Sequence, residues 1–314
     1  MMNGEQQHAT QRIAAVIGMF DGVHLGHRDL LRQLREAAAP RGLAPAVFTF
    51  PSHPLSIIRP EAAPALLSTP EEKLLRLTAE GIAPRDIEFL SFDDRLRHLT
   101  AREFISLLHH KYNVDYILRG FNNRFGTERD LSAEDYRAIA AAEDVTLSDA
   151  LPYSIPSADG PQDVSSSLIR TALAGSDMPR AAILLGYPYE ISGTIEPGKH
   201  LGATIGFPTA NIAVAPSKLI PPQGVYACTA ETDGASYPAV VNIGHCPTTG
   251  TLNGHPTIEA HLIGYSGQPL YGKTMQLRFH NLLRREQKFN SLHDLQSAIA
   301  SDIEKAKNLI EMKI

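Results

Sequence analysis

Between residues 13 and 151, short apolar runs of strand length alternate with stretches whose apolar positions recur every three or four residues. Residues 13–20 read as a buried strand, and after His27 the positions Leu30, Leu31, Leu34, Ala37 and Ala38 keep helical spacing. Further strands are expected near AVFTF, DIEFL, VDYIL and VTLSDA, with helices after residues 25, 70, 101 and 132. Such alternation predicts a parallel sheet covered by helices on both faces. Two short helical patterns, SSSLIRTALAG and DMPRAAILLG, close this half, and Gly186, Tyr187 and Pro188 break the pattern.

The second half of the chain differs in kind. YEISGTI, GVYACTAE, YPAVVNIG, TIEAHLI and TMQLRFHNLL are β-rich runs separated by Gly/Pro turns, which predicts an antiparallel barrel or sandwich. A final helix is expected from Leu292, Leu295, Ile299, Ile303, Ala306 and Ile310, spaced at three and four. The change of pattern divides the 314 residues into two domains, 1–185 and 186–314, as the length alone favours.

Composition narrows the function classes. Apolar residues at 43% and charged residues at 20% describe an ordinary globular chain. A net charge of -5 argues against a general nucleic-acid binder, which needs clustered Lys and Arg. The N-terminal residues carry no apolar signal stretch and no run reaches membrane-spanning length, so a cytoplasmic protein without a membrane partner is expected. Cys228 and Cys246 stand apart from any C-x-x-C pair, which suits a reducing compartment and gives no zinc pattern.

Residues 18–27 read GMFDGVHLGH, a strand end followed by a Gly-punctuated turn and a helix start. Gly18, Gly22 and Gly26 let backbone approach a ligand, and the helix N-terminus offers unpaired N–H groups to an anion. His24 and His27, three apart, lie on one face and point at one phosphate. SSSLIR, residues 165–170, opens a second helix with hydroxyls. Its Arg170 either forks onto a phosphate or pairs with a surface carboxylate. RGFNNRFGTER, residues 119–129, comes after a strand at the place where adenine and ribose would be gripped.

In the second half the sharpest string is GFPTAN, residues 206–211. Thr209 and Asn211, two apart on an extended chain, share one side and offer hard oxygen ligands suited to Mg²⁺ with ATP. Gly193, Gly198 and Gly202 punctuate a loop upstream. Glu259, between Ile258 and Ala260, projects to the face opposite both. Turned inward, such a carboxylate is either a partner for an arginine or a general base.

GMFDGVHLGH with SSSLIR resembles the nucleotidylyltransferase half of the bacterial bifunctional riboflavin kinase/FAD synthetase family. GFPTAN, GVYA, VNIG, Pro247-Thr248, IEAHL and RREQKF resemble its riboflavin kinase half, in order along the chain. The resemblance implies a nucleotidylyltransferase-like, Rossmann-like α/β N-terminal domain and an antiparallel β-barrel C-terminal domain with a terminal helix. It implies Mg²⁺ with ATP, and riboflavin, FMN, FAD, ATP and pyrophosphate as the small-molecule partners. His24 and His27 would hold phosphates in adenylyl transfer, with Gly18, Phe20, Asp21, Gly22, Gly26, Asn122, Arg129, Ser165, Ser166 and Arg170 around the nucleotide. In the other half Thr209 and Asn211 would bind Mg²⁺–ATP beside Gly198, Gly206 and Pro208. There Glu259 would deprotonate the riboflavin 5′-hydroxyl, and Arg284 and Glu286 would hold the flavin.

The chain departs from the family pattern at Pro51 and Ser52, where D-P-H-P is common, and at Asn123, where an aromatic is usual. It departs again at Leu131, where glycine is usual, and at Ala203 and Cys246, where arginines are usual. Three readings remain: both activities, adenylyl transfer alone with a degenerate flavin-binding barrel, or a flavin sensor without turnover.

Overall fold

A computed structural model describes residues 11–121, 123–157, 160–198, 202, 205–244 and 256–311. Asn122, Ala203, Cys246 and the Pro247-Thr248 pair lie outside the described residues. The chain divides into two compact units, Met1–Ser165 and Ser166–Ile314.

The first unit is built on five parallel strands, β1 (Ile13–Ile17), β2 (Ala44–Thr49), β3 (Ile87–Phe89), β4 (Val114–Arg119) and β5 (Thr146–Asp149), in the order β3-β2-β1-β4-β5. Its helices are α1 (Leu25–Ala38), α2 (Leu55–Ile58), α3 (Pro70–Ala79), α4 (Ala101–Tyr112) and α5 (Ala133–Ala142). All five residues of β1 are buried because both faces of the sheet are covered. Ile13, Ala15 and Ile17 meet Phe104, Ile105 and Leu108 of α4 and Tyr136 of α5. Ala14 and Val16 share a second core with Leu31 and Leu34 of α1 and Leu77 of α3. The order runs outward from β1 to β3, then restarts at β4 on the other side of β1. The carboxyl ends of β1 and β4 therefore flank a crevice of the kind in which α/β sheets bind ligands. A two-stranded ribbon, β6 (Ser154–Ile155) and β7 (Gln162–Asp163), comes after β5.

The second unit opens with α6 (Ser166–Ala174) and α7 (Met178–Leu185). Asp177 caps α7 by accepting from Arg180 N at 3.0 Å, and Gly186 ends it at φ 82°. Met178, Ala181, Leu184 and Leu185 are fully buried as α7 packs on β8 (Tyr189–Glu196) and β13 (Thr274–Arg284). These two strands join β9 (Ala210–Ala213), β10 (Gly224–Thr232), β11 (Ala235–Gly244) and β12 (Thr257–Leu262) in a closed antiparallel barrel, ordered β10-β11-β12-β9-β8-β13. The β-runs of the sequence thus close on themselves as a barrel. The short β9 completes the closure by pairing with both β12 and β8.

Alternation sorts the barrel residues. Tyr226, Cys228, Val241, Ile243, Ile258 and Ala260 fill one face as buried core. The other face carries Val225, Ala227 and Val240, against which Ile303, Ala306 and Leu309 of α8 (Leu292–Glu311) pack. Cys228 is a fully buried packing residue whose thiol pKa is pushed well up by burial. The expected apolar stripe of the last helix begins later than its spacing suggests, because Leu292 is exposed.

Candidate functional site

In the first unit, the chain leaves β1 through residues 18–24 and enters α1 with His24 as N-cap, not as a helical residue. Phe20 and Val23 hold positive φ of 46° and 37° without being glycine, and Gly22 sits at 80°. Strain of this kind costs about 1–3 kcal/mol per residue and persists only where the surroundings fix it. They do so here. Gly18 N donates to Phe48 O at 3.0 Å, Thr49 Oγ1 donates to Met19 O at 3.0 Å, and Gly22 N donates to Ser68 Oγ at 3.0 Å. Asp21 is turned into the protein, where its carboxylate accepts from Ser68 N at 3.1 Å.

The held loop stacks the two imidazoles, with ring centroids 3.7 Å apart and planes at 20°. The buried Phe20 ring lies 4.9 Å from His27. His24 Nδ1 accepts from His27 N at 3.4 Å, so a neutral His24 carries its proton on Nε2. Burial lowers the His24 pKa to about 4 and holds His27 well below its usual range, with the charges of His24 and Lys73 adding to the second effect. Both rings are neutral at pH 7, so each has an N–H to offer in place of a positive charge. His27 Nδ1 is buried with no hydrogen-bond partner among the described residues.

Beside this loop a cavity of about 280 Å³ opens at the carboxyl ends of β1, β2 and β4. Gly18, Met19, Phe50, Phe92, Phe104 and Phe125 give it flat apolar walls, and Arg97, Asn123 and Arg124 give it polar edges. Such a lining, phenylalanines with polar groups at the edge, suits an aromatic ring system with a polar rim. Asn123 Nδ2 donates to Ile17 O, which ties the loop after β4 to the end of β1.

The second unit has its own cavity, about 340 Å³, on the outer barrel face beneath α8. Asn242 pairs in register with Glu259, and Val240 with His261, so these four share the face opposite Ile258 and Ala260. Glu259 therefore points out of the barrel and into the cavity. The inward direction expected from its neighbours is corrected by the closure of the sheet, which fills the inside with those neighbours. Thr209, Arg284 and Glu286 line the same cavity, as do Leu295, Ile299 and Asp302 of α8. Arg284 Nε donates to the fully buried Asp302 at 2.8 Å, and its guanidinium lies 5.4 Å from the Phe289 ring. Arg284 also lines the cavity, so its guanidinium is presented there from a fixed base.

Asn211 sits next to Glu259 across the β9–β12 ladder. A side chain at Gly198 would drive its Cβ into the Asn211 amide, and one at Gly202 would collide with Phe207 O, so both loop positions require glycine. Gly206 turns the chain at φ 88° into Pro208 and Thr209, and Pro208 O is held by His261 Nδ1 at 2.9 Å. Among the described residues no group of three His, Cys, Asp or Glu side chains is arranged to hold a metal. A hydroxyl and an amide oxygen are hard donors, and they fit a Mg²⁺ that keeps its waters and is held largely by substrate phosphates.

Two family models match the chain, FAD synthetase over residues 6–167 and riboflavin kinase over residues 185–310. A bifunctional riboflavin kinase/FMN adenylyltransferase of Pseudomonas fluorescens is 36% identical over 296 residues, covering 94% of this chain and 92% of the relative. The proteins of that name from Bacillus subtilis strain 168 and Escherichia coli K12 are 33% and 36% identical, over 92% and 91% of this chain and 90% and 89% of theirs. The chain belongs to this bifunctional family. A crystal structure titled as a macrolide-efflux protein from Streptococcus pneumoniae covers 98% of each chain with a TM-score of 0.85 and 27% identity. That likeness speaks for the fold. No helix among the described residues is long and apolar enough to cross a membrane.

Within the family frame, the residues singled out from sequence fall into groups. His24, His27, Gly18, Gly22 and Gly26 meet at the loop after β1, with Phe20 and Asp21 serving as its internal braces. Arg119 is committed to Asp149 at 2.7 Å and to the Tyr136 ring at 4.6 Å, so this arginine of the basic loop is structural. Arg129 is exposed, and its carbonyl accepts from Arg124 at 3.2 Å. Ser165 ends the first unit, and Ser166 opens α6 with Arg170 one turn on. The two family regions leave residues 168–184, most of α6 and α7, to neither, whereas the contacts group both helices with the barrel.

Sequence reasoning passed over the aromatic cavity walls, Lys73 and Asp302. The last two carried a signal. Lys73 stands four residues before Leu77 on the buried face of α3, and Asp302 interrupts the apolar stripe between Ile299 and Ala306.

Proposed function

We propose that this chain makes FAD from riboflavin in two ATP-consuming steps, riboflavin to FMN in the second unit and FMN to FAD in the first, releasing pyrophosphate. What carries the reading is the meeting of Thr209, Glu259, Arg284 and Glu286 around one cavity, in a chain whose other unit stacks two neutral histidines at a helix start. The activities are drawn at residues 1–185 and 186–314. Both run on small molecules in the cytoplasm without nucleic acid or membrane, in keeping with a net charge of -5 and two isolated cysteines.

In the kinase step Glu259 takes the proton of the riboflavin 5′-hydroxyl as that oxygen attacks the γ-phosphorus and the bond to ADP breaks. Arg284, steadied by Asp302, and Glu286 hold the flavin. Thr209 and Asn211 offer the oxygens for Mg²⁺, in a loop shaped by Gly198, Gly206 and Pro208. Mg²⁺, when bound, neutralises charge on the β- and γ-phosphates.

In the adenylyl step a phosphate oxygen of FMN attacks the α-phosphorus, and the bond to pyrophosphate breaks. An FMN phosphate is already largely deprotonated at neutral pH, so the step needs position and charge neutralisation more than a base. His24 and His27 donate N–H groups to the oxygens where charge builds. Ser165 supplies a further donor, and Arg129 is the family's nucleotide position in this unit, with Asn122 outside the described residues; the family positions Ser166 and Arg170 fall in the second unit.

Incubating the purified protein with riboflavin, ATP and Mg²⁺ and separating flavins by chromatography tests this directly. FMN and then FAD is the expected sequence of products. FMN without FAD removes the first-unit assignment, and FAD from FMN but none from riboflavin removes the kinase.

A further inference from the structure

Lys73 lies on α3, has no exposed surface, and carries an ammonium where a core position would ordinarily take a hydrocarbon. Its Nζ donates to Phe50 O at 2.7 Å and to Thr49 Oγ1 at 3.3 Å. Thr49, itself without exposed surface, passes the connection on by donating to Met19 O at 3.0 Å. One side chain thereby joins α3, the end of β2 and the loop that runs from β1 to His24. Met19 and Phe50, whose carbonyls end the two branches, both line the aromatic cavity.

Placing an ammonium there is expensive, and burial draws its pKa down to about 8 while the charge of Asp21 opposes the shift. It is still mostly charged at neutral pH. A methionine would fill the same space without that cost. What a methionine lacks is the ability to polarise Thr49 and grip the Phe50 carbonyl next to a loop strained at Phe20 and Val23. The start of α3 is itself fixed by a capping box. Thr69 Oγ1 accepts from Glu72 N at 3.2 Å, and Glu72 Oε2 accepts from Thr69 N at 3.0 Å, so the lysine is presented from a rigid base.

We propose that Lys73 is a positioning residue for adenylyl transfer, holding through Thr49 and Phe50 the loop that sets His24 and His27 against the phosphates. The proposal rests on the adenylyl-transfer reading of the first unit. It predicts a loss in turnover more than in flavin binding, because the cavity walls are apolar while the loop aligns the reacting groups.

The test uses the full chain with Lys73→Met, Thr49→Val and the double variant, assaying FMN adenylylation and riboflavin phosphorylation on the same preparations. Lys73→Met should lower kcat for FAD formation by about 10- to 100-fold with KM for FMN within about threefold. Riboflavin phosphorylation should stay unchanged. Thr49→Val, which keeps shape and removes only the relaying hydroxyl, should lower kcat in the same direction, and the double variant should fall no further than Lys73→Met alone. A merely structural lysine would instead lower kcat in step with the fraction unfolded, and its effect would multiply with that of Thr49→Val. Either result overturns the proposal, as does full turnover in Lys73→Met. If Lys73→Met does not fold, full turnover in Thr49→Val overturns it. A wild-type chain that converts no FMN to FAD overturns the adenylyl-transfer reading and this proposal together, which separates that failure from one confined to Lys73.

Discussion

His24 titrates at about 4 and His27 well below its usual range because burial penalises the charged rings. In the unfolded chain each binds its proton near 6.5. The native state therefore keeps its full advantage above that pH and loses it as the pH falls from about 6.5 toward 4, by up to about 1.4 kcal/mol per pH unit for each ring. Thermal unfolding from pH 7 to 4.5 should show the wild type losing stability relative to His27→Gln. Parallel curves would show that the ring is not kept neutral by its surroundings. The chemistry of these residues was legible because His, Gly, Thr and Glu sit at tight spacings within short strings. Lys73 and Asp302 were not, because a single Lys or Asp in a helix reads as a solvated residue until the packing around it is known.

Helices α6 and α7 mark where pattern and packing part company. Along the chain they come after the last parallel strand and read as its continuation, yet the fully buried Leu184 and Leu185 pack against β8 and β13. Two such leucines contribute on the order of 3–6 kcal/mol together. A fragment of residues 166–314 should accordingly melt well above one of residues 186–314, and equal melting temperatures would show that α7 adds nothing to the barrel. The parallel strands and their helices were predictable because β1 is covered on both sides and reads as one unbroken apolar run. The four-residue β9 was legible only as an extended stretch at Thr209 and Asn211, because it is too short to show alternation and is held by pairing on both sides. The direction of Glu259 depended on closure, which alternation alone does not reveal.

Two sites on two units make a crossed experiment possible. His27→Ala should suppress FAD formation by about 10²-fold or more and leave FMN formation intact. Glu259→Ala should lower FMN formation by about 10²- to 10⁴-fold and leave conversion of supplied FMN to FAD intact. Equal loss of both activities in either variant would point to one shared site or to misfolding. The order of motifs along the chain was enough to read two activities, since the family strings occur in both halves. What order could not supply was the aromatic cavity, whose walls come from separate stretches of the first unit that lie far apart in sequence.

Along β12, Ile258 and Ala260 fill the inside of the barrel, whereas Glu259 and His261 face the outer cavity, where His261 also holds Pro208. Heat tolerance and turnover are thereby written on alternate letters of one six-residue word. Refilling the inside of the barrel offers a way to harden the protein without touching what it does.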